Sequence, residues 1–360
     1  MYGAILGDII GSRFEFDRGG WTKDFEMFTP ECSFTDDTVM TVAVAEALLA
    51  AGVNADTGEI EKACIESMQK WGRKYPDAGY GSRFIGWLYE QDPKPYDSWG
   101  NGSAMRVAAA GWLYSSVERT RSVARATANV SHNHPEGLKG AECTAAVIYM
   151  ARKGATKEEI REYVDTEFGY DLSKGVDELR PLHKHDESCM DALPKALVSF
   201  FEGNSFEDVI RNAVSLGGDT DTIAAIAGAM AEGMYGVPDD LMDKCLEYLP
   251  DEMKQVIDDF SDKTGSMGRN VHPYIDVRYK GGRAKIIEIL EKDGFVISDN
   301  AVRTKQEIIE AVLPLKVDMK EKTYDMMGNT TCAAAARSGG LMGANYFYRY
   351  YKDSTENKGE

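Results

Sequence analysis

Gly217-Gly218-Asp219-Thr220-Asp221-Thr222 runs straight into Ile223-Ala224-Ala225-Ile226-Ala227-Gly228-Ala229-Met230. A helix that is apolar on every side is a buried helix. This one therefore starts with two carboxylates and two hydroxyls that must find partners away from water. A helix cap needs one such oxygen. Two Asp two residues apart, each followed by Thr, crowd several hard oxygens onto one helix start, a donor set that suits Mg²⁺ or Mn²⁺. The two preceding glycines let the backbone turn so that both carboxylates face the same way. The chain is then constrained to fold so that a second set of donors, if there is one, meets this end of the helix.

A second set exists. Thr35-Asp36-Asp37-Thr38 opens another apolar helix, running through Val39, Met40, Val42, Ala43, Ala45, Leu48 and Leu49 to Gly52. Four carboxylates cannot converge uncompensated, because like charges repel. A dinuclear divalent-metal site, with ions ~3.5–4 Å apart, resolves this. The alternative is two independent capped helices.

Three further stretches carry chemistry. Gly7-Asp8-Ile9-Ile10-Gly11-Ser12-Arg13-Phe14-Glu15 places glycines on a tightly packed helix face. Asp8 on that apolar face needs a partner, and Arg13 is a candidate. Glu15 lies between Phe14 and Phe16, and apolar flanks raise a carboxyl pKa toward the range of general acid–base work; the alternative is a loop Glu in solvent. Ser98-Trp99-Gly100-Asn101-Gly102-Ser103-Ala104-Met105-Arg106 reads as an anion loop opening a helix. Trp99 could stack on a base there and Arg106 neutralise charge, against the alternative of a plain turn. Ser131-His132-Asn133-His134-Pro135 has no third ligand at zinc spacing, so His132 reads as a polar contact to a ligand, or the stretch as a cap for the helix near 137.

The surrounding pattern is helical. The periodicity predicts helices over 2–12, from 35–38 to 49, 56–74, 103–116, 118–128, 137–153, 191–202, 206–215, 220–236, 239–248 and 251–260, with a long loop system over 75–105 and irregular chain over 171–190. Asp56 with Glu59 and Thr156 with Glu159 have the spacing of capping boxes. Almost nothing before 260 alternates with period two, so residues 1–263 are expected to form an all-α domain. Residues 1–263 carry 26 basic and 46 acidic side chains, whereas 264–360 carry 15 and 13. That shift marks 264–360 as a C-terminal extension or small accessory domain, with weak mixed α/β signals: strands near 271–279 and 294–298, helices near 285–293 and 304–312.

The net charge of −18 speaks against a general nucleic-acid or anionic-membrane surface. Six scattered cysteines form no Cys-x-x-Cys, and their apolar settings suit reduced thiols. No stretch reads as a signal peptide or membrane span, so a cytoplasmic location is expected.

Together, Gly7-Asp8-x-x-Gly11-x-x-x-Glu15, Thr35-Asp36-Asp37-Thr38, Gly100-Asn101-Gly102-x-Ala104-Met105-Arg106, Ser131-His132 and Gly217–Thr222 resemble, in content and order, the ADP-ribosylglycohydrolase family over about residues 1–245. The resemblance implies an orthogonal helical bundle whose cleft holds two Mg²⁺ or Mn²⁺ ions on Thr35, Asp36, Asp37, Asp219, Asp221 and Thr222, with Asp221 a bridge. It implies that Glu15 stands beside the metals at the distal ribose. Ser98, Trp99, Gly100 and Asn101, with Gly102 and Arg106 in the same loop, fall where the family grips pyrophosphate and adenine, and His132 falls where it contacts ADP-ribose. The activity implied is hydrolysis of the glycosidic bond between ADP-ribose and an acceptor, a protein side chain or a small conjugate, with Glu15, Asp36 and Asp221 as catalytic groups. A catalytically silent ADP-ribose binder and a phosphohydrolase acting on the pyrophosphate are the alternatives.

Overall fold

Every regular element among the described residues is a helix; the one β-type pairing is an isolated antiparallel bridge between Gly100 and Ser188. The computed structural model describes residues 1–17, 21–182 and 184–264. The strands and helices expected beyond 264 lie outside the described residues. Met1–Met234 and Asp240–Gly265 group as one unit.

In chain order the helices are α1 (Tyr2–Gly11), α2 (Asp36–Ala51), α3 (Thr57–Lys74), α4 (Ser82–Tyr89), α5 (Gly102–Met105), α6 (Ala108–Leu113), α7 (Val117–Asn129) and α8 (Pro135–Arg152). There follow α9 (Lys157–Glu167), α10 (Val176–Leu179), α11 (Cys189–Glu202), α12 (Phe206–Val214), α13 (Thr220–Tyr235), α14 (Asp239–Glu247) and α15 (Asp251–Lys263). The capping boxes at Asp56/Glu59 and Thr156/Glu159 form as expected, each satisfying two terminal N–H groups.

Three sequence expectations need correction. The stretch 75–105 is not all loop: α4 forms within it, burying Phe84, Trp87 and Leu88 on one face. Eight residues flanked by Gly and Pro are too few for a clear helical period. The helix expected over 103–116 is two pieces, α5 and α6, parted where Arg106 and Val107 tighten to ψ near zero. The irregular stretch 171–190 contains α10 and a 3-10 turn at Arg180–Leu182.

The core is organised by α1, α2 and α13. Helix α13 is buried continuously from Thr220 to Glu232, as an all-round apolar pattern requires, and α2 is buried from Asp37 to Ala45. Amphipathic helices cover them: α3 lays Ile60, Cys64, Met68 and Trp71 inward along α2. Helix α1 crosses α13 at backbone-to-backbone distance. A Cβ built on Gly3 would stand 2.1 Å from the Gly228 carbonyl oxygen, one on Gly7 2.1 Å from that of Ala224, and one on Gly11 2.5 Å from that of Thr220. Glycine every fourth residue is what lets these helices touch. Thr220 Oγ1 closes the crossing by donating to the Gly11 carbonyl at 2.9 Å. The five described cysteines are buried and outside any disulfide.

Candidate active site

The crossing of α1 over α13 delivers Asp8 to the start of α2. Asp8 is fully buried, and its partner is not Arg13. Its Oδ1 accepts from Thr35 Oγ1 at 2.7 Å, and its Oδ2 from Thr35 N at 2.9 Å and Thr38 N at 3.0 Å, with the Thr38 hydroxyl alongside. Arg13 instead donates to the Glu26 carbonyl and lies over the Phe14 ring at 4.1 Å. Sequence proximity suggested Arg13. The helix geometry turns the acid the other way, against the unsatisfied N–H groups of a neighbouring helix terminus. Burial still outweighs those hydrogen bonds and lifts the Asp8 carboxyl to about 6. Asp8 is thus the bracket that fixes the α2 terminus. Asp8→Ala is expected to leave two backbone and two hydroxyl donors without an acceptor and to lower stability by on the order of 3 kcal/mol, measurable by urea denaturation, with Asp8→Asn intermediate.

With α2 fixed on α1, and α1 on α13, the two Asp-rich termini meet. Asp36, Asp37, Asp219, Asp221 and Thr222 line one cleft of about 480 Å³, and Glu15 joins them. Thr222 Oγ1 donates to Asp37 Oδ2 at 3.1 Å across the junction. Gly217 (φ 68°) and Gly218 (φ 79°) take the left-handed turn into α13. The backbone at Gly218 also passes so close to the Lys184 carbonyl that a Cβ would be 2.3 Å from it. Glu15 is placed by a break in the 3-10 segment Ser12–Asp17, where Glu15 is extended and Phe16 has φ 57°. Carboxylate oxygens of Glu15, Asp219 and Asp221 lie within 4.8 Å of one another.

This density of acids has an electrostatic signature. Asp36, Asp37 and Asp221 are all pushed well above the ordinary carboxyl range, first by burial and then by one another's charge. Asp219 is raised by burial too, though hydrogen bonds from Asp221 and from Asn101 Nδ2, the latter at 2.6 Å, oppose the rise. Asp37 Oδ1 is buried with no hydrogen-bond partner among the described residues. The donors are oxygen only, one is orphaned, and their mutual repulsion is relieved by protonation or by bound positive charge: the set fits hard divalent cations. Thr35 is the outlying member. It does not line the cleft, and its hydroxyl gives its proton to Asp8 and accepts from Asp37 N at 3.3 Å.

The expected anion loop is held from both sides. Asn101 N donates to the Glu187 carbonyl at 2.8 Å, Cys189 N to the Trp99 carbonyl at 3.0 Å, and Tyr96 N to the Ser131 carbonyl at 3.1 Å. Ser98, Gly100, Asn101, Gly102, Arg106 and His132 all line the cleft. Trp99 does not: its ring is 49 % exposed and edge-on to His134, 5.5 Å away. Arg106 is 1 % exposed, and its Nη2 donates to Ser131 Oγ at 2.9 Å and the Thr127 carbonyl at 3.2 Å. It is a wall residue that acts through its neighbours. Ser131 Oγ stands 2.8 Å from His132 Nδ1. Ser131 Oγ, which accepts from Arg106, has its own proton to give to Nδ1, and that arrangement puts the proton of the neutral imidazole on Nε2. Burial, then the charges of Arg106 and Arg83, hold His132 far below its ordinary pKa, so it is neutral. Nε2–H points at Gly100 and Gly102, where a Cβ would come within 3.4 and 3.1 Å of that nitrogen. His134, not His132, makes the cap, accepting from Glu136 N at 3.1 Å through Nδ1.

The cleft also includes residues that motif spacing did not single out: Tyr80, Arg83, Phe84, Tyr96 and Glu187. For the first four the only sequence signal was the aromatic and glycine content of 75–105, and Glu187 lies in the irregular stretch 171–190. Tyr80 is 6 % exposed and its hydroxyl has no partner among the described residues.

The family model described as ADP-ribosylglycohydrolase matches residues 1–270. The ADP-ribosylhydrolase ARH3 of Mus musculus is 26% identical, covering 76% of this chain and 90% of that protein. The ADP-ribosylarginine hydrolase Tri1 of Pseudomonas putida is 26% identical, covering 66% and 70%. The ADP-ribosyl-[dinitrogen reductase] glycohydrolase of Rhodospirillum rubrum is 28% identical, covering 66% and 84%. A solved structure titled an ADP-ribosylglycohydrolase-related protein complex superposes with a TM-score of 0.53 at 24% identity, over 74% of this chain and 94% of that one, a likeness of fold.

Proposed function

The chain belongs to the ADP-ribosylglycohydrolase family, and from that premise we propose that it hydrolyses the glycosidic bond between the distal ribose C1 of ADP-ribose and an acceptor, in a cleft that takes two divalent cations, Mg²⁺ or Mn²⁺. The observation that carries this reading is the convergence of Asp36, Asp37, Asp219, Asp221 and Thr222 in one cleft with Glu15 at its edge.

Asp36, Asp37, Asp219, Asp221 and Thr222 would hold the ions, with Thr35 contributing through its remaining lone pair. The chemistry such ions supply when bound is positive charge beside the ribose hydroxyls and a lowered pKa for nearby water. The chain's own groups do the rest. Asn101 fixes the Asp219 carboxylate in one orientation through Nδ2. Neutral His132 offers an Nε2–H donor to a ligand hydroxyl or phosphate oxygen. Gly100 and Gly102 keep that donor uncovered. Departure of the acceptor would leave an oxocarbenium-like ribose, which the carboxylates lining the cleft would stabilise electrostatically. Glu15, whose carboxylate lies within 4.8 Å of those of Asp219 and Asp221, would accept the proton of the attacking water and return it to the leaving group.

The partner is an ADP-ribosylated protein or a small ADP-ribosyl conjugate. Among the described residues no helix is long and apolar enough to cross a membrane. The test is purified protein with MgCl₂ against arginine-, serine- and DNA-linked ADP-ribose. Free ADP-ribose from at least one substrate, lost on adding EDTA and restored by excess Mg²⁺, is the expected result. Release of AMP would make the protein a phosphohydrolase, and binding without turnover of any substrate would make it a silent relative.

A further inference from the structure

The charge balance of the cleft singles out one residue. Six carboxylates line it, those of Glu15, Asp36, Asp37, Asp219, Asp221 and Glu187, against two guanidiniums, those of Arg83 and Arg106. Arg106 is buried and committed to Thr127 and Ser131. Arg83, at the start of α4, is exposed. Its Nη2 donates to the Tyr96 carbonyl and its guanidinium lies 4.6 Å from the centroid of the Tyr96 ring. That leaves Nε and Nη1 without a protein acceptor among the described residues. Tyr96 is itself fixed, through its N–H to Ser131 and by its ring 5.7 Å from that of His132. Arg83 and the His132 Nε2–H donor therefore flank one aromatic ring on the same wall. A planar guanidinium held at one corner by a carbonyl and a ring is pre-organised to meet oxyanions with its free edge. No carboxylate pairs with it among the described salt bridges, although the chain as a whole is strongly acidic.

We propose that Arg83 grips the diphosphate of the ADP-ribosyl group and sets the cleft's preference for a diphosphate-bearing ligand. This rests on the ADP-ribose reading above and deepens it. A charge-assisted hydrogen bond to phosphate is worth about 10- to 100-fold in affinity, and one made by an exposed guanidinium is screened by salt.

The experiment is calorimetric titration of ADP-ribose into the full chain at fixed MgCl₂, at low and high NaCl, for the wild type, Arg83→Gln and Arg83→Lys. Wild type is expected to bind more weakly at high salt. Arg83→Gln is expected to bind about 10- to 100-fold more weakly at low salt and to lose most of the salt dependence, with Arg83→Lys between them. Arg83→Gln binding as well as wild type overturns the assignment. So does an equal loss at both salt concentrations, which is the mark of a residue that only holds Tyr96. A wild type that does not bind ADP-ribose at all overturns the functional reading, and this inference with it.

Discussion

Replacing Asp221 with Ala is expected to give a protein that is dead and, without metal, more stable. Asp221 belongs to the densest part of the acid cluster. Its carboxyl is pushed well above the ordinary range by burial and then by Asp219, Asp37, Glu15 and Asp8. On the proposed reading, removing it takes away a cation donor and one charge that would stabilise the developing oxocarbenium ion. Losing one such group typically costs 10²–10³ in rate, and losing a metal with it costs more, so release of ADP-ribose should fall by at least about 10³-fold, or about 4 kcal/mol in the barrier. Asp36→Ala should do the same. Turnover like that of wild type in either variant, with metal supplied, would sink the assignment.

The stability effect has the opposite sign, and it is set by pH. A carboxyl whose folded pKa is raised binds its proton more tightly in the native than in the unfolded state. Its stabilising contribution is then full at low pH and is lost as pH rises from the unfolded value of 3.8 through the raised folded value. Asp36 and Asp37 shift in the same direction. Metal-free wild type should therefore lose stability between acid and neutral pH, and Asp221→Ala should flatten that loss. Mg²⁺ should raise the melting temperature of wild type more at neutral than at acid pH, and do little for Asp221→Ala. Thermal scans with EDTA or MgCl₂ across that range check all three. A metal-free wild type that gains stability as pH rises through this range would overturn the electrostatic account.

The largest effect on the fold is expected from Gly7→Ala. The added methyl would stand 2.1 Å from the Ala224 carbonyl oxygen and 2.3 Å from its carbon. These are backbone atoms of a buried helix, so no rotamer change makes room. Helix α1 must move off α13. Overpacking a core typically costs 1–3 kcal/mol; a clash with main chain on a helix buried on every side should reach about 3 kcal/mol or more. Because α1 carries Asp8, the shift also displaces Thr35 and Thr38 and with them the α2 jaw of the site. Activity should fall together with the melting temperature. Gly86→Ala is the control. Gly86 sits in α4 with nothing within 4 Å of the position its new methyl would take, and the change should be neutral or stabilising by up to about 1 kcal/mol. A Gly7→Ala protein that melts like wild type would show that the crossing is looser than these distances state.

Much of the site was legible in the sequence because its donors are concentrated at two helix starts. Asp next to Thr at the head of an apolar run is a pattern that spacing alone reveals, and from the two stretches Asp36, Asp37, Asp219, Asp221 and Thr222 line one cleft, while Thr35 turns to Asp8. The helices were readable wherever an apolar period ran for three turns or more, as in α3, α8 and α13. Helix α4 escaped because its eight residues, Ser82 to Tyr89, are too short a run to show a clear period. Tyr80, Arg83, Phe84, Tyr96 and Glu187 escaped for a different reason: each is an ordinary residue in a loop or short helix, and only its position lining the cleft singles it out.

Asp8 marks the division between the two sources of information. By itself the sequence determined that this chain is helical to about residue 263, that two buried helices start with more carboxylates than capping requires, and that such acids need compensating charge. These follow from periodicity and from the cost of burying charge, which are local properties. Which acids face one another was decided by the tertiary structure alone. The spaced glycines of α1 fix its distance from α13, that distance fixes where Asp8 lies, and Asp8 fixes the terminus of α2. A contact between residues some two hundred positions apart depends on backbone approach to a few tenths of an ångström, and no pattern of residue types along a chain carries that distance.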